Sequence, residues 1–454
     1  MRCQMHDLGS KTGAELSAAF CDLPEGVTTL DLSWSDIGHS KTAPELAEAF
    51  SALPAGVSTV ILKNTDLSNK TGAELAEIFG ALSAGVRTIH LAGNYLGTKT
   101  ESELIEVFRA LPAGVTILNL DRNYLSEKRG AELAEVFKAL PAGVRTLHLA
   151  GNDLGRKTEG ELAEAFMAIP EGVTTLDLAG NDLGSKTAGE LTEVFRALPE
   201  GVTTLILKNN DLSNKTGAEL AEVFNALPAS VGTLDLSYNN LNRKTGAELA
   251  EAFGAVPENV TSLDLSYNHF GFSLLGSELA EAFGALPENI TSLDLSYNHF
   301  GFSHLGAQED EMTTLHFSCD FFSLKRAPEL IQIFSAVPRS LTTLIIKGNN
   351  LGRYSCDDLR LFIQSMPSAV RFKIDGKIAL SRALPVLYSL TLNSAGVGDS
   401  ACVQVLGNTA LLHMVLSFLE PAAQHRMTAY KNLLLSKIPA YVSRVSKITA
   451  MRLT

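Results

Sequence analysis

The chain is short of the residues that most often carry chemistry at a site. Its five cysteines in 454 residues (Cys3, Cys21, Cys319, Cys356 and Cys402) stand far apart. They show neither the paired spacing of a zinc site nor the density of a disulfide scaffold, so a reducing compartment is expected. No glycine-rich loop ends in Lys-Ser/Thr and no His-Glu-x-x-His occurs, which removes the common phosphate-binding and zinc-protease signatures. No apolar run approaches the ~18 residues of a membrane-spanning helix, and no charged-then-apolar leader opens the chain. A soluble protein outside the Sec export route is expected, with no cofactor and no metal. Basic residues are also in deficit, 37 Lys/Arg against 50 Asp/Glu for a net charge of −13. From Arg371 onward the balance reverses, ten Lys/Arg against three Asp/Glu, or +7, which leaves −20 on the rest. An acidic body of that size disfavours phosphate contacts, so nucleic acid is not the expected partner. The basic end leaves contact with an acidic partner or a membrane surface as a lesser expectation, beside the simpler one of a basic terminal cap.

What the chain has in abundance is one unit, repeated. Leu-x-Leu pairs begin at Leu30, Val60, Ile89, Leu118, Leu147, Leu176, Leu205, Leu234, Leu263, Leu293, Leu315 and Leu344. The interval is 29 residues, with 30 at two steps and 22 between Leu293 and Leu315. Self-similarity at such a period predicts a solenoid whose units bury their apolar faces only against one another. Chains of this kind display a surface, so binding is the leading expectation.

In the unit 176–204, Leu176 and Leu178 flank Asp177, the period of a short strand with one buried face. Asn181 follows, and Asn94, Asn123, Asn152, Asn210, Asn239, Asn268, Asn298 and Asn349 share its position. A buried asparagine column satisfies backbone groups where the chain turns out of the strand, in its own coil and the next. Thr187 with Glu190 then forms a capping box, as do Thr12/Glu15, Thr42/Glu45, Thr71/Glu74, Thr100/Glu103, Thr158/Glu161, Thr216/Glu219 and Thr245/Glu248. Leu191, Val194, Phe195 and Leu198 lie at helical spacing, and Pro199 with Gly201 closes the two-turn helix. A wide helix layer beside a sheet spaced at about 4.8 Å per strand must curve.

The cores, such as Leu147-His148-Leu149-Ala150-Gly151-Asn152-Asp153-Leu154, resemble the leucine-rich repeat family in its long, ribonuclease-inhibitor-like class. The resemblance covers roughly residues 1–375 and implies an α/β fold: a right-handed horseshoe solenoid with a concave parallel sheet and convex helices. Residues 1–29 read as a partial first repeat, with Met1 and Cys3 at the leucine positions and Asp7-Leu8-Gly9 matching Asp36-Ile37-Gly38. Residues 30–375 are the repeats, and 376–454 form a basic, mostly helical region that caps the array.

Recognition is expected where the copies differ. Early units place Ile61, His90, Asn119 and His148 between the leucines, whereas later ones place Asp235, Asp264 and Asp294 there. Tyr238, Tyr267 and Tyr297 stand three residues on, so an acidic row runs beside a tyrosine row. Tyrosine offers large contact area at small entropic cost. A basic, partly apolar protein surface suits such a strip. Trp34, the single tryptophan, joins the candidates, as do Phe272 and Phe302. These two phenylalanines have no leucine counterpart elsewhere, unlike the apolar-column residues Phe270 and Phe300. They belong to near-duplicate stretches, 253–276 and 283–306. Ala307-Gln308-Glu309-Asp310-Glu311 then replaces the expected helix, and a gap in the convex layer is expected near residue 306. His90 and His148 stand two strands apart, too far to share a metal directly, and are expected to face solvent.

Two motifs admit other functions. Cys356-Asp357-Asp358 superficially matches the nucleophile of bacterial leucine-rich-repeat ubiquitin ligases, yet Ser355 and Asp358 fit a helix cap and the large catalytic domain is missing. The stretch from Leu411 to Pro421 faintly resembles an F-box, which would make the chain a ubiquitin-system adaptor. The repeat wording Lys-Thr-Gly-Ala-Glu-Leu-Ala-Glu and Ala-Leu-Pro-x-Gly-Val-Thr-Thr-Leu resembles the leucine-rich-repeat effectors of intracellular bacteria. That resemblance implies a non-enzymatic virulence protein made in the bacterial cytoplasm and injected without a leader by a Dot/Icm-type type IV system. It would bind a host protein in the host cell cytoplasm.

Overall fold

A computed structural model of the chain describes residues 1–5, 8–298, 327–339, 343–346 and 371–374. Thirteen short strands build one sheet in strict chain order. They are β1 Arg2–Gln4, β2 Thr29–Asp31, β3 Thr59–Ile61, β4 Thr88–His90, β5 Ile117–Asn119, β6 Thr146–His148 and β7 Thr175–Asp177, followed by β8 Thr204–Ile206, β9 Thr233–Asp235, β10 Ser262–Asp264, β11 Ser292–Asp294, β12 Thr343–Ile346 and β13 Arg371–Ile374. Every pairing is parallel and leucine meets leucine, as in Leu147, Leu176 and Leu205 across β6, β7 and β8. Parallel neighbours require a crossover, and an outer helix supplies it in each coil from β1 to β12. The architecture is therefore the expected α/β leucine-rich-repeat solenoid, sheet inside and helices outside. Among the described residues no helix is long and apolar enough to cross a membrane.

Each coil is specified locally. After β7 a tight turn at Leu183–Ser185 leads to a helix at Ala188–Arg196. The Thr187 hydroxyl accepts the Glu190 N–H at 3.3 Å, and a Glu190 carboxylate oxygen accepts the Thr187 N–H at 2.7 Å. Those backbone and hydroxyl donors hold the Glu190 carboxyl below its ordinary range. The same box opens the helices capped by Thr12, Thr42, Thr71, Thr100, Thr158, Thr216 and Thr245. Leu176, Leu178, Leu191, Val194 and Phe195 are fully buried, and Phe20, Phe50, Phe79 and their equivalents continue one phenylalanine ladder through the core. Phe270 is core as expected, edge-on to Phe283.

The asparagine column is buried and saturated. The Asn181 side-chain oxygen accepts the N–H groups of Asn152 at 2.9 Å and Leu154 at 3.3 Å. Its amide donates to the carbonyls of Leu149 and Leu178, both at 3.0 Å. The side chain thus serves its own coil and the preceding one, rather than the following one. A second column went unread in the sequence. Lys99, Lys157 and Lys215, just before the capping threonines, are buried and donate to Ser68, Ser126 and Gly184 carbonyls of the preceding coil at 2.6, 2.9 and 2.7 Å. A buried ammonium is tolerable only when hydrogen-bonded, which these carbonyls accomplish.

Three expectations about register are corrected. Leu30 pairs with Cys3, which puts Cys3 and Met5 at the leucine positions in place of Met1 and Cys3; Met5 packs against the core. Next, β11 pairs directly with β12, Leu293 beside Leu344, so no strand from Leu315 stands between them. The separation of 51 residues is one 29-residue coil plus 22, and the irregular step is an insertion rather than a shortened repeat. Finally, the helix layer does not lapse there. The helix Ala327–Ser335 follows Gly276–Gly284, where Gly276 allows Glu329 close enough that an added Cβ would meet it at 2.6 Å. The segment 307–311 itself lies outside the described residues, as do Asn349, Phe300, Cys356, the F-box-like stretch and region 376–454.

Candidate functional site

The turn out of each strand from β2 to β11 requires left-handed backbone at the residue before the column position, which is asparagine except at Ser35 and Thr65. Trp34, Asn64, Gly93, Arg122, Gly151, Gly180, Asn209, Tyr238, Tyr267 and Tyr297 occupy it with φ between 51° and 69°. The ladder imposes this, because from Trp34 to Tyr267 each N–H donates to a carbonyl of the next coil, as Tyr238 does to Ser266 at 3.1 Å. Glycine adopts such a φ freely and asparagine readily, whereas other residues lose roughly 1 kcal/mol or more.

On that column the three tyrosines stack face to face. Tyr238 and Tyr267 have ring centroids 4.0 Å apart, and Tyr267 and Tyr297 4.3 Å, with planes within 14°. The Lys208 ammonium lies 4.6 Å over the Tyr238 ring, a cation–π contact that ends the stack. Burial between its two neighbours raises the Tyr267 hydroxyl pKa, so the phenol stays neutral. Beside them Asp235, Asp264 and Asp294 are aligned strand to strand. The two rows the sequence predicted are thus brought together.

The aspartates also have a structural task the sequence did not disclose. Each accepts the N–H two residues on, from Ser237, Ser266 and Ser296, all at 2.8 Å. This Asx turn ends the strand, and Asp31, Asn119 and Asp177 do the same in other coils. Burial pushes the Asp264 carboxyl up to about 6, against the pull of its Ser266 hydrogen bonds, with the Asp235 and Asp294 charges adding to the rise. Since an unfolded aspartate titrates near ~4, the stability tied to Asp264 is full below that pH and is lost as pH rises through about 6. Asp264→Asn keeps an oxygen for the Ser266 N–H and removes the charge. It is expected to stabilise the fold by roughly 1–2 kcal/mol at pH 8 after allowance for solvent screening, and not at pH 4. Denaturation midpoints that match wild type at both pH values would refute this.

The remaining candidates are dispersed. Trp34 is 70% exposed and shares the tyrosine column, but at the opposite end of the array. Phe272 belongs to the short helical turn Phe270–Ser273, and Phe302 lies outside the described residues.

Two features were missed. Tyr95 and Tyr124, 47% and 44% exposed, stack at 5.3 Å. With Gly97, Thr98, Glu127 and Lys128 they line a shallow cavity. The signal was present in Asn94-Tyr95-Leu96 and Asn123-Tyr124-Leu125, where most other coils carry aspartate. The two histidines are half-buried rather than solvent-facing. His148 Nδ1 lies 3.1 Å from an Asp177 carboxylate oxygen, and that hydrogen bond raises its pKa. Burial lowers that of His90.

The leucine rich repeat family profile matches residues 256–271. No curated protein matches the chain. Among solved structures, the leucine-rich repeat-containing protein LegL7 from Legionella pneumophila is similar over 88% of this chain and 99% of its own, at 27% identity and a TM-score of 0.55. A chain of the yeast Rad7 and Elc1 complex aligns over 77% of this chain and 76% of its own, at 13% identity and a TM-score of 0.44, too distant to carry an argument. The chain has the leucine-rich-repeat fold. Such a fold is a protein-interaction module, and its members are typically non-enzymatic.

Proposed function

We propose that the chain is a non-enzymatic effector of an intracellular bacterium that grips a host protein with its concave face. Asp235, Asp264 and Asp294 supply charge and Tyr238, Tyr267 and Tyr297 supply contact area, so the partner presents a basic, partly apolar surface. The carrying observation is the backbone under the tyrosines. They keep a left-handed φ at which Gly93, Gly151, Gly180, Asn64 and Asn209 serve the same turn at less cost. A desolvated carboxyl at Asp264, flanked by two more aspartates, adds a site that a cation would relieve.

The likeness to LegL7 from Legionella pneumophila supports delivery by a type IV route into the host cytoplasm. A reporter fused to the full chain and expressed in a bacterium with a Dot/Icm system is expected to enter the host cytosol. Inactivating that system should abolish entry. Retention of the reporter in the bacterium under both conditions would overturn the proposal.

A further inference from the structure

A second constellation lies on the sheet between β5 and β7, away from the tyrosines. The residue following the second leucine of each coil is lysine, alanine or serine in the other described coils, as in Lys63, Ala92, Ala150 and Ser237. Asp121 is the exception. Its carboxylate, the His148 imidazole and the Asp177 carboxylate come from three successive coils, and their ligand atoms all lie within 4.8 Å of one another.

Each donor is already oriented. One Asp121 oxygen accepts the Ala150 N–H at 2.8 Å, and the other accepts the Asn119 amide at 2.8 Å. One Asp177 oxygen accepts the Ala179 N–H at 2.9 Å while the other faces His148. Backbone anchoring of this kind holds metal-site carboxylates in place. Among the described residues the charge is compensated in part, by the His148 imidazole alone. All three groups are half-buried, and among the described residues no lysine or arginine is ion-paired with either carboxylate. Two carboxylates therefore share one imidazole.

The geometry points to Asp121, His148 and Asp177 as a binding site for a divalent transition-metal ion of the zinc class on the concave face. One nitrogen with two carboxylate oxygens suits such an ion, whereas magnesium and calcium prefer all-oxygen shells. Donors at this separation surround a centre about 2–3 Å away, so small rotations reach the ~2.0–2.2 Å of a zinc bond. Three protein ligands leave a coordination position open for water or for a side chain of a bound protein.

Titration calorimetry of the full chain with Zn2+, and visible absorption with Co2+, test the site. Wild type is expected to bind one equivalent of Zn2+ that displaces Co2+. His148→Ala and Asp177→Asn should each weaken binding about tenfold or more, while His39→Ala, an exposed histidine elsewhere, should not. Asp177→Asn is built to fold, because Asn119 already fills the equivalent register and accepts the Asp121 N–H at 3.0 Å. Absence of saturable binding would overturn the proposal. So would binding that His148→Ala leaves unchanged, which would send the ion to other donors such as Cys3 or Cys21.

Discussion

Asn181→Ala is expected to destabilise the array by on the order of 3–5 kcal/mol, one of the largest losses available to a single substitution in it. The side chain is wholly buried and satisfies the N–H groups of Asn152 and Leu154 and the carbonyls of Leu149 and Leu178. Alanine leaves the two N–H groups unpaired, at about 1–3 kcal/mol each, whereas the Leu149 and Leu178 carbonyls keep the amides of Asn152 and Asn210. Both orphaned N–H groups belong to the preceding coil, so the damage crosses an interface between units. In a solenoid, stability is a sum of units and their interfaces, and amide exchange should therefore accelerate first around residues 149–181. A urea midpoint equal to that of wild type would show that the amide satisfies nothing essential.

The simultaneous replacement of Tyr238, Tyr267 and Tyr297 by asparagine is expected to abolish partner capture while preserving the fold. Hot-spot tyrosines contribute about 2 kcal/mol or more each, so even a non-additive sum predicts a loss of at least about 100-fold in affinity. Asparagine is the apt replacement because Asn64 and Asn209 hold the same left-handed position in other coils. Relief of backbone cost offsets part of the lost ring stacking, itself roughly 0.5–1.5 kcal/mol per pair. Full-length bait carrying the triple substitution should recover none of the host protein that wild-type bait recovers from lysate. Changing Thr29, Thr59 and Thr88 on β2, β3 and β4 should leave capture intact. Equal loss from both variants would indicate a partner spanning the whole face. Undiminished capture by the tyrosine variant would refute the strip and turn attention to the exposed Tyr95–Tyr124 stack.

Much of the site was legible before any coordinates. The Asp and Tyr rows follow from counting, because a 29-residue period converts equal spacing into adjacent strands. What the aspartates do was not legible, since an Asx bond from Asp264 to the Ser266 N–H depends on where the strand ends. Nor was the backbone conformation under Tyr267, although the glycines and asparagines that alternate with tyrosine in that column were its trace. The misplacement of the irregular step has a similar origin. Leu315 imitates the repeat locally, but whether it pairs is decided by β11 and β12, which meet without it.

The sequence by itself determined the period, the Thr/Glu caps, the leucine and phenylalanine core and the parallel order of strands. These rest on contacts three or four residues apart, or on one environment repeated coil after coil, and both leave a periodic trace. Only the tertiary structure decided that Lys215 spans to Gly184 of the preceding coil, that an inserted segment separates β11 from its helix, and that Asp121, His148 and Asp177 converge. Such features arise once, or across coils, where proximity is set by register and by the turn of each strand. A residue that breaks the repeat carries no periodicity of its own, and its neighbours are known only when the coils are stacked.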